Sequence, residues 1–399
     1  MQNTFVKSTL VFIAAFLLSG SASYALTTYL YSPESGGPLT PVVTPPIGGG
    51  LNIDPSAPRD SECPLNGQMF TSAEEKVWES RRPLYVMIEN SVDARPQSGL
   101  NSADILYEAV AEGGISRFGA VFFCGVAKAD TLLAPVRSAR THFINTASEY
   151  NYPIYQHVGG ANRDGCTSSY CPTDKRVDAL GQLESYGWKL RNDLDARSVG
   201  LPVFKRNETR LGAGKVLATE HTMTTTTETV YTFMKDKRNL TNKSLDGKSD
   251  WADKFVPFTF KEDAKEKGSV GKISFGFWDS NKDFDVVWSH DATKNQYTRT
   301  TGGVDHKDLN DDSIMSAKVV VVQFAKELSS IDDAKHVLYE VIGTGKGIVF
   351  QDGVATEATW TKKDRESRTV WTDSKGKTIA FNRGRIIFEI IPIGNKVDY

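Results

Sequence analysis

The sequence predicts an α+β fold, in which a mixed α/β domain over residues 61–235 precedes a mostly antiparallel β domain over residues 255–392. Strand-like and helix-like patterns alternate in the first range, as they do in layered α/β structures. Short strand-like runs fill the second range, and Asp352-Gly353 between two of them is a strong hairpin signal. Residues 235–254 are polar and form the predicted boundary.

The first domain is predicted from three strands and three helices. The strands are Leu84–Ile88, Arg117–Val126 and Pro153–Val158, and the helices are Ala103–Glu112, Ala139–Tyr150 and Lys175–Arg191. The first helix is predicted because its apolar residues recur at helical spacing. Gly113 and Gly114 follow it directly, and glycine is the usual residue just beyond a helix C-terminus.

The second domain is predicted from runs that are rich in β-branched and aromatic residues. These runs are Lys272–Phe277, Asp285–Trp288, Val319–Phe324, Val337–Ile342, Gly347–Phe350, Val354–Thr361, Thr369–Thr372 and Arg385–Ile391. Ser374-Lys375-Gly376 marks a second, weaker turn between the last two runs. An antiparallel sheet or a small barrel is expected.

The predicted helix Ala103–Glu112 places three carboxylates, those of Asp104, Glu108 and Glu112, on one helix face. Like charges at this spacing destabilise a helix by roughly 0.2–0.5 kcal/mol per pair, so cations are expected to face them. The candidate cations are Arg117, Arg137 and Arg140.

Two of these arginines flank a predicted helix start. Pro135 cannot lie inside a helix, and Ser138 is a good N-cap residue, so a helix is expected to begin near Ala139. Arg137 and Arg140 then lie where free N–H groups and the helix dipole attract anions. Arg137 and Arg140 form either a binding site for a carboxylate or phosphate, or internal salt bridges with the neighbouring glutamates.

Several long motifs carry a resemblance to a known family. They are RPQSGL (95–100), ADILYEAVAEGGISRF (103–118), PVRSAR (135–140), HVGG (157–160) and EHTM (220–223). With them, the chain resembles the bacterial domain-of-unknown-function family of YerB-type lipoproteins over most of its length after residue 80. The resemblance implies an N-terminal and a C-terminal family domain but no particular activity. Arg299, His306 and Asp308 occupy family-like positions in the second domain.

Three histidines stand in polar surroundings. His157 ends a predicted strand shortly before Asn162, a position typical of active-site loops, although most such histidines are structural. His221 precedes a threonine-rich run. His306 and Asp308 are two residues apart, so on a strand they would point the same way. They could form a His/carboxylate pair, supply two metal ligands that need a third, or lie in a surface turn.

The N-terminal region indicates export. Residues 1–31 contain one charge, Lys7, and read either as a cleaved signal peptide or as an uncleaved membrane anchor. Residues 32–60 form a Pro/Gly-rich linker. The first cysteine is Cys63, whereas the lipoproteins of the family have a cysteine just after the apolar segment, which argues against lipid anchoring.

Four cysteines in an exported chain predict disulfides. Cys166 and Cys171 close a short loop, and Cys63 could reach Cys124. Zinc binding by the Cys166–Cys171 pair is disfavoured because no matching second pair is present. No metal and no cofactor is predicted.

Two functions from different classes remain. Walker, Rossmann, zinc-protease and nucleophile-elbow motifs are missing from the sequence, and a net charge of −2 gives no general attraction to nucleic acid. The first function is binding of an anionic wall component or a partner protein in the cell envelope. The second is an envelope hydrolase. The oligomeric state stays open.

Each function has its own candidate residues. For the binding function they are Arg95, Arg117, Arg137, Ser138, Arg140, Asn162, His221 and Arg299. For the hydrolase they are Glu108 or Glu112 as acid and base, supported by His157, His306 and Asp308.

Overall fold

A computed structural model of the chain describes residues 50–163, 166, 171–244, 247–329 and 331–399. The predicted signal peptide or anchor, and most of the predicted linker, lie outside the described residues. Within the described ranges, no helix is both long enough and apolar enough to cross a membrane.

The described residues contain four α-helices and many short strands. The helices are α1 (Ser72–Trp78), α2 (Thr141–Ala147), α3 (Ala179–Ser185) and α4 (Thr227–Arg238). Strands up to residue 226 are β1 (Ser61–Glu62), β2 (Met69–Phe70), β3 (Leu84–Glu89), β4 (Ile105–Glu112), β5 (Ile115–Phe122), β6 (Leu132–Leu133), β7 (Ile154–His157), β8 (Asp193–Asp195), β9 (Lys205–Arg206) and β10 (Met223–Thr226).

The remaining described strands follow α4. They are β11 (Phe260–Lys261), β12 (Lys272–Phe275), β13 (Val286–Asp291), β14 (Gln296–Thr301), β15 (Val304–Asp305), β16 (Ser316–Ala317), β17 (Val319–Leu328), β18 (Leu338–Glu340), β19 (Gly343–Gln351), β20 (Val354–Lys362), β21 (Val370–Thr372), β22 (Phe381–Asn382), β23 (Ile386–Pro392) and β24 (Val397–Asp398). The α+β fold class is confirmed, and each predicted run of the second domain contains a strand.

One large sheet joins the two predicted domains. Its order is β21-β20-β19-β17-β23-β4-β5-β3-β7-β8, with β18 beside β17. Strand β23 lies between β17 and β4 and runs parallel to both, so that Phe388 pairs with Tyr107. These central strands are buried on both faces, as expected for parallel strands that are covered on both sides.

Different elements pack against the two faces of this sheet. On one face, Tyr107 stacks on Phe388 with ring centroids 5.0 Å apart, and its hydroxyl bonds that of Tyr150, just after α2. On the other face lies a six-stranded sheet built from β12–β16 and β24. Trp288 of that second sheet donates its ring N–H to Glu389 of β23 at 2.9 Å.

The predicted helix Ala103–Glu112 is wrong, because this segment is strand β4. Gly113 and Gly114 have φ values of 56° and 76° and form the turn into β5 instead of ending a helix. The predicted helix Ala139–Tyr150 is confirmed in shorter form, as α2 followed by one 3₁₀ turn.

Both predicted disulfides are confirmed, Cys63–Cys124 and Cys166–Cys171. Among the described residues, one group of possible metal ligands comes together, namely Cys63, Asp104 and Cys124. Both sulfurs of that group are already bonded to each other, so the group is not a metal site in this structure.

Candidate functional site

The three carboxylates predicted to share one helix face are separated by the strand geometry. A β-bulge between Val110 and Glu112 shifts the register of β4 against β5. Glu108 accepts a hydrogen bond from Ser116, whereas Glu112 pairs with the next residue, Arg117. Ser116 and Arg117 are consecutive residues of one strand, so they point to opposite faces of the sheet. Their partners Glu108 and Glu112 therefore lie on opposite sides of the large sheet.

Glu108 belongs to a buried ion cluster between the two sheets. The guanidinium group of Arg299 lies 2.5 Å from a Glu108 oxygen and 2.8 Å from a Glu389 oxygen, and all three side chains are 0% exposed. Burial raises the pKa of Glu389 to about 8, although the charge of Arg299 opposes this shift. The cluster therefore holds one cation between two carboxyl groups.

A closed ring of hydrogen-bonded and ion-paired side chains includes Arg299 and Glu108 of this cluster. We call it the buried ring; its members are, in order, Arg299, Thr301, His306, Gln97, Asn90 and Glu108. Thr301 accepts from Arg299 at 2.8 Å and donates to Nδ1 of His306 at 2.8 Å. Nε2 of His306 donates to Gln97 at 3.0 Å. Burial holds the pKa of His306 well below its usual value, so the ring contains a neutral histidine.

Asp308 and Arg95 form hydrogen bonds with residues of neighbouring loops. The Asp308 carboxylate accepts the backbone N–H groups of Gly99, Asn101 and Asn310, and no contact joins it to His306 within the described part of the chain. The predicted His306–Asp308 pair is therefore not formed. Arg95 donates to Asn90 and lies over the ring of Phe284.

His157 is buried at the end of β7, and its imidazole ring bridges two hydrogen-bond acceptors. Its Nε2 lies 2.5 Å from a carboxylate oxygen of Asp193, and its Nδ1 lies 2.7 Å from the carbonyl oxygen of Gly159. Both partners are acceptors, so the imidazole must donate from both nitrogens and carries a positive charge. Burial opposes the charged form, but the bond to Asp193 raises the pKa of His157 overall. Asn162 lies half-buried in the loop that follows.

The predicted arginines meet on the face of the sheet that carries Glu112. Arg117 lies 3.2 Å from Glu112, and Arg140 contacts the second oxygen of the same carboxylate. Burial by itself would raise the pKa of Glu112, but Arg140 and Arg117 lower it to about 2. Arg117 also donates to the carbonyl oxygen of Ser138 at 2.9 Å. Arg117 and Arg140 thus form the internal salt bridges considered as the alternative.

The predicted helix cap is wrong in detail. Helix α2 begins after Arg140, which occupies the N-cap position without a side-chain hydrogen bond, so Ser138 lies outside the helix. Arg137 is turned toward Glu89, whose two oxygens lie 3.3 Å from Arg137 Nε and 2.9 Å from His221 Nδ1. One carboxylate is therefore shared between Arg137 and His221.

An open pocket of about 250 Å³ lies beside Arg137. We call it the Arg137–Arg206 pocket; it is lined by Val136, Arg137, Val158, Arg206, Thr219, Glu220 and Met223. The Arg206 side chain donates to the carbonyl oxygen of Thr219 and to the Thr222 hydroxyl. Among the described residues no carboxylate pairs with Arg206, which is exposed.

Backbone pairing assembles this pocket from distant segments. Arg206 of β9 is the register partner of Met223 in β10, and the amide of Val136 bonds the Met223 carbonyl at 2.9 Å. The amide of Val158 bonds the carbonyl of Arg137 at 3.0 Å. Three of the motifs quoted above, PVRSAR, HVGG and EHTM, therefore meet here and supply most of the lining.

Sequence reasoning missed Arg206, Thr219 and Glu220 as lining residues. Arg206 stands in a polar loop where many side chains are charged, and nothing in its neighbours marks it. Its position follows from the pairing of β9 with β10. A signal was available for Glu220, since it begins the EHTM motif that also contains His221.

The fold and the pocket define an α+β protein of two packed sheets with a charged surface pocket. The chain belongs to the DUF3048 family of proteins of unknown function, whose N-terminal and C-terminal domain models match residues 70–237 and 273–387. It is 27% identical over 340 residues to a Bacillus subtilis (strain 168) protein named "Putative lipoprotein YerB", covering 85% of this chain and 88% of that protein.

A solved structure shares the fold. The crystal structure of YerB protein from Bacillus subtilis matches with a TM-score of 0.65 at 23% sequence identity. The match covers 85% of this chain and the whole of that chain. This likeness extends over both predicted domains.

Proposed function

We propose that this protein is a membrane-tethered, extracytoplasmic binding protein that holds an anionic group of a cell-envelope component in the Arg137–Arg206 pocket. Three observations support the location. The N-terminal 31 residues read as an export signal or anchor, both cysteine pairs are oxidised, and a relative is named as a lipoprotein.

The observation that carries the binding proposal is the guanidinium of Arg206, which has no carboxylate partner among the described residues and lines the same pocket as Arg137. Exposed arginines usually gain little from a nearby carboxylate, but a planar guanidinium binds carboxylates and phosphates through two parallel hydrogen bonds. Arg206 is pre-oriented by Thr219 and Thr222, which lowers the entropy lost when a ligand binds.

Local charge favours an anion here although the whole chain is nearly neutral. At and behind the pocket, Arg117, Arg137 and Arg140 form salt bridges with only two carboxylates, Glu89 and Glu112, among the described residues. The excess positive charge is partly exposed at Arg137, whose side chain is 26% accessible. An anionic ligand would complete this arrangement without requiring the protein to rearrange.

The hydrolase alternative stays a prediction. Glu108 is fully buried and paired, Glu112 is held ionised by two arginines, and His306 is neutral with both nitrogens bonded. None of these groups faces the Arg137–Arg206 pocket. The experiment below therefore also monitors release of fragments.

The test is co-sedimentation of the full-length chain, kept in a non-ionic detergent, with purified cell-wall sacculi. We expect Arg206→Ala to weaken retention by roughly tenfold or more, because hydrogen bonds to charged groups contribute about 1.5–3 kcal/mol. Lys205→Ala is the matched control, since Lys205 is the neighbouring exposed cation on β9 and does not line the pocket. Equal retention of wild type and Arg206→Ala would refute the proposal.

Mass spectrometry of the supernatant separates binding from turnover. Retention without released fragments supports a binding protein. Fragments that disappear in Glu108→Gln or Glu112→Gln would favour the hydrolase instead.

A further inference from the structure

The Arg137–Arg206 pocket also carries an unpaired negative charge. Glu220 lines the same rim as Arg206, is exposed, and forms no ion pair with any described cation. The hydrogen bond from its own backbone amide lowers the pKa of Glu220, and His221 and Arg137 contribute in the same direction. Opposite charges therefore line one pocket, and no salt bridge joins Glu220 to Arg137 or Arg206.

Between these charges the pocket has an apolar floor. Val136, Val158 and Met223 form it, and backbone hydrogen bonds hold their three segments together. Small-molecule sites usually have volumes of about 300–1,000 Å³, so a pocket of about 250 Å³ suits a small group. A polymer would thus be recognised through one of its units.

We propose that the pocket binds a zwitterionic amino-acid unit with a small aliphatic side chain. The carboxylate of the unit would lie against Arg206 and Arg137, its ammonium group against Glu220, and its side chain on the apolar floor. This inference rests on the proposed function and names the ligand class of the same site. A purely anionic ligand would leave Glu220 beside a second negative charge, which is unfavourable at short range.

The test uses the full-length chain in non-ionic detergent and three probes: alanyl-alanine, its N-acetylated form, and inorganic phosphate. Binding is followed by ligand-observed NMR. Acetylation removes the ammonium group and keeps the carboxylate, so we expect it to weaken binding about fivefold, the upper range for an exposed ion pair. Glu220→Gln should abolish that difference between the two dipeptides.

Glu208→Gln is the matched control, because Glu208 is an exposed glutamate of the preceding loop that does not line the pocket. It should leave the fivefold preference intact. Equal binding of the two dipeptides, with loss of both in Arg206→Ala, would overturn the zwitterion inference and leave anion binding in place. Phosphate and dipeptide binding that are both insensitive to Arg206→Ala would overturn the inference together with the proposed function.

Discussion

The buried cluster of Glu108, Arg299 and Glu389 makes the stability of the protein depend on pH. If both carboxyl groups were ionised, the second Glu389 oxygen would have no hydrogen-bond donor among the described residues, whereas the second Glu108 oxygen lies 2.5 Å from the Arg299 guanidinium. The raised pKa of Glu389, about 8, indicates that this residue keeps its proton at neutral pH and donates it to Glu108. Glutamine has the same shape and can donate in the same direction, so Glu389→Gln mimics the protonated side chain.

The pH dependence of stability follows from linkage. Burial raises the folded-state pKa of Glu389 from 4.5 to about 8, so between these values the folded protein holds a proton that the unfolded chain has released. Stability from this group is therefore greatest at low pH and falls as pH rises toward 8, at up to about 1.4 kcal/mol per pH unit. Glu389→Gln removes this dependence. Relative to wild type, the variant should gain roughly 2 kcal/mol between pH 6 and pH 7.5.

The assay is denaturant unfolding followed by tryptophan fluorescence across this pH range, and the measured quantity is the difference in unfolding free energy between variant and wild type. Other titrating groups cancel in that difference. Arg299→Met is the contrasting change, because it leaves two buried carboxyl groups without their cation and should cost about 3–5 kcal/mol. Parallel stability curves for wild type and Glu389→Gln would refute the assignment of the proton.

Two further predictions concern His157 and the Cys63–Cys124 disulfide. His157→Gln should destabilise the protein most below pH 6.5, because the raised pKa of His157 gives stability that is present below the unfolded-state pKa and lost as pH rises through the folded value; unfolding midpoints at several pH values check this. Replacing both cysteines by serine should lower the unfolding free energy by about 4 kcal/mol, since the disulfide spans 61 residues; denaturant titration measures it.

The strand β4 shows where local sequence patterns fail. Its residues are nearly all buried, since β23 and β5 flank it and both faces are covered, so apolar residues occupy neighbouring positions and imitate helical spacing. Alanine, leucine and glutamate also favour helices in isolation. The partner that decides the outcome, β23, lies at the other end of the chain, and no local signal identifies it.

Two strands of the second region, β17 and β23, were easier to predict. Their valine and isoleucine runs stand alone between turn signals, as with Val319–Leu328 and Ile386–Pro392. Side-chain partners were not predictable in the same way. His306 bonds Gln97, which is 209 positions away, and Arg206 reaches its pocket only through the pairing of β9 with β10.

The motifs that carry the family resemblance divide into two groups by their place in the fold. Residues such as Gln97 and Glu108 enter the buried ring, where they meet Arg299 and His306 of the second region. A ring of this kind is closed to ligands and joins the two regions through the middle of the protein.

The other group of motifs lines a pocket that is open to solvent. PVRSAR, HVGG and EHTM converge on one open pocket, which holds an unpaired cation and an unpaired anion. These charges add little to the stability of the fold, because even a formed ion pair at the surface contributes only about 0–1 kcal/mol. The contrast between the buried, closed ring and the open pocket with its unpaired charges is the physical reason to look for ligand binding at the pocket, and to interpret the buried charges as the junction that supports it.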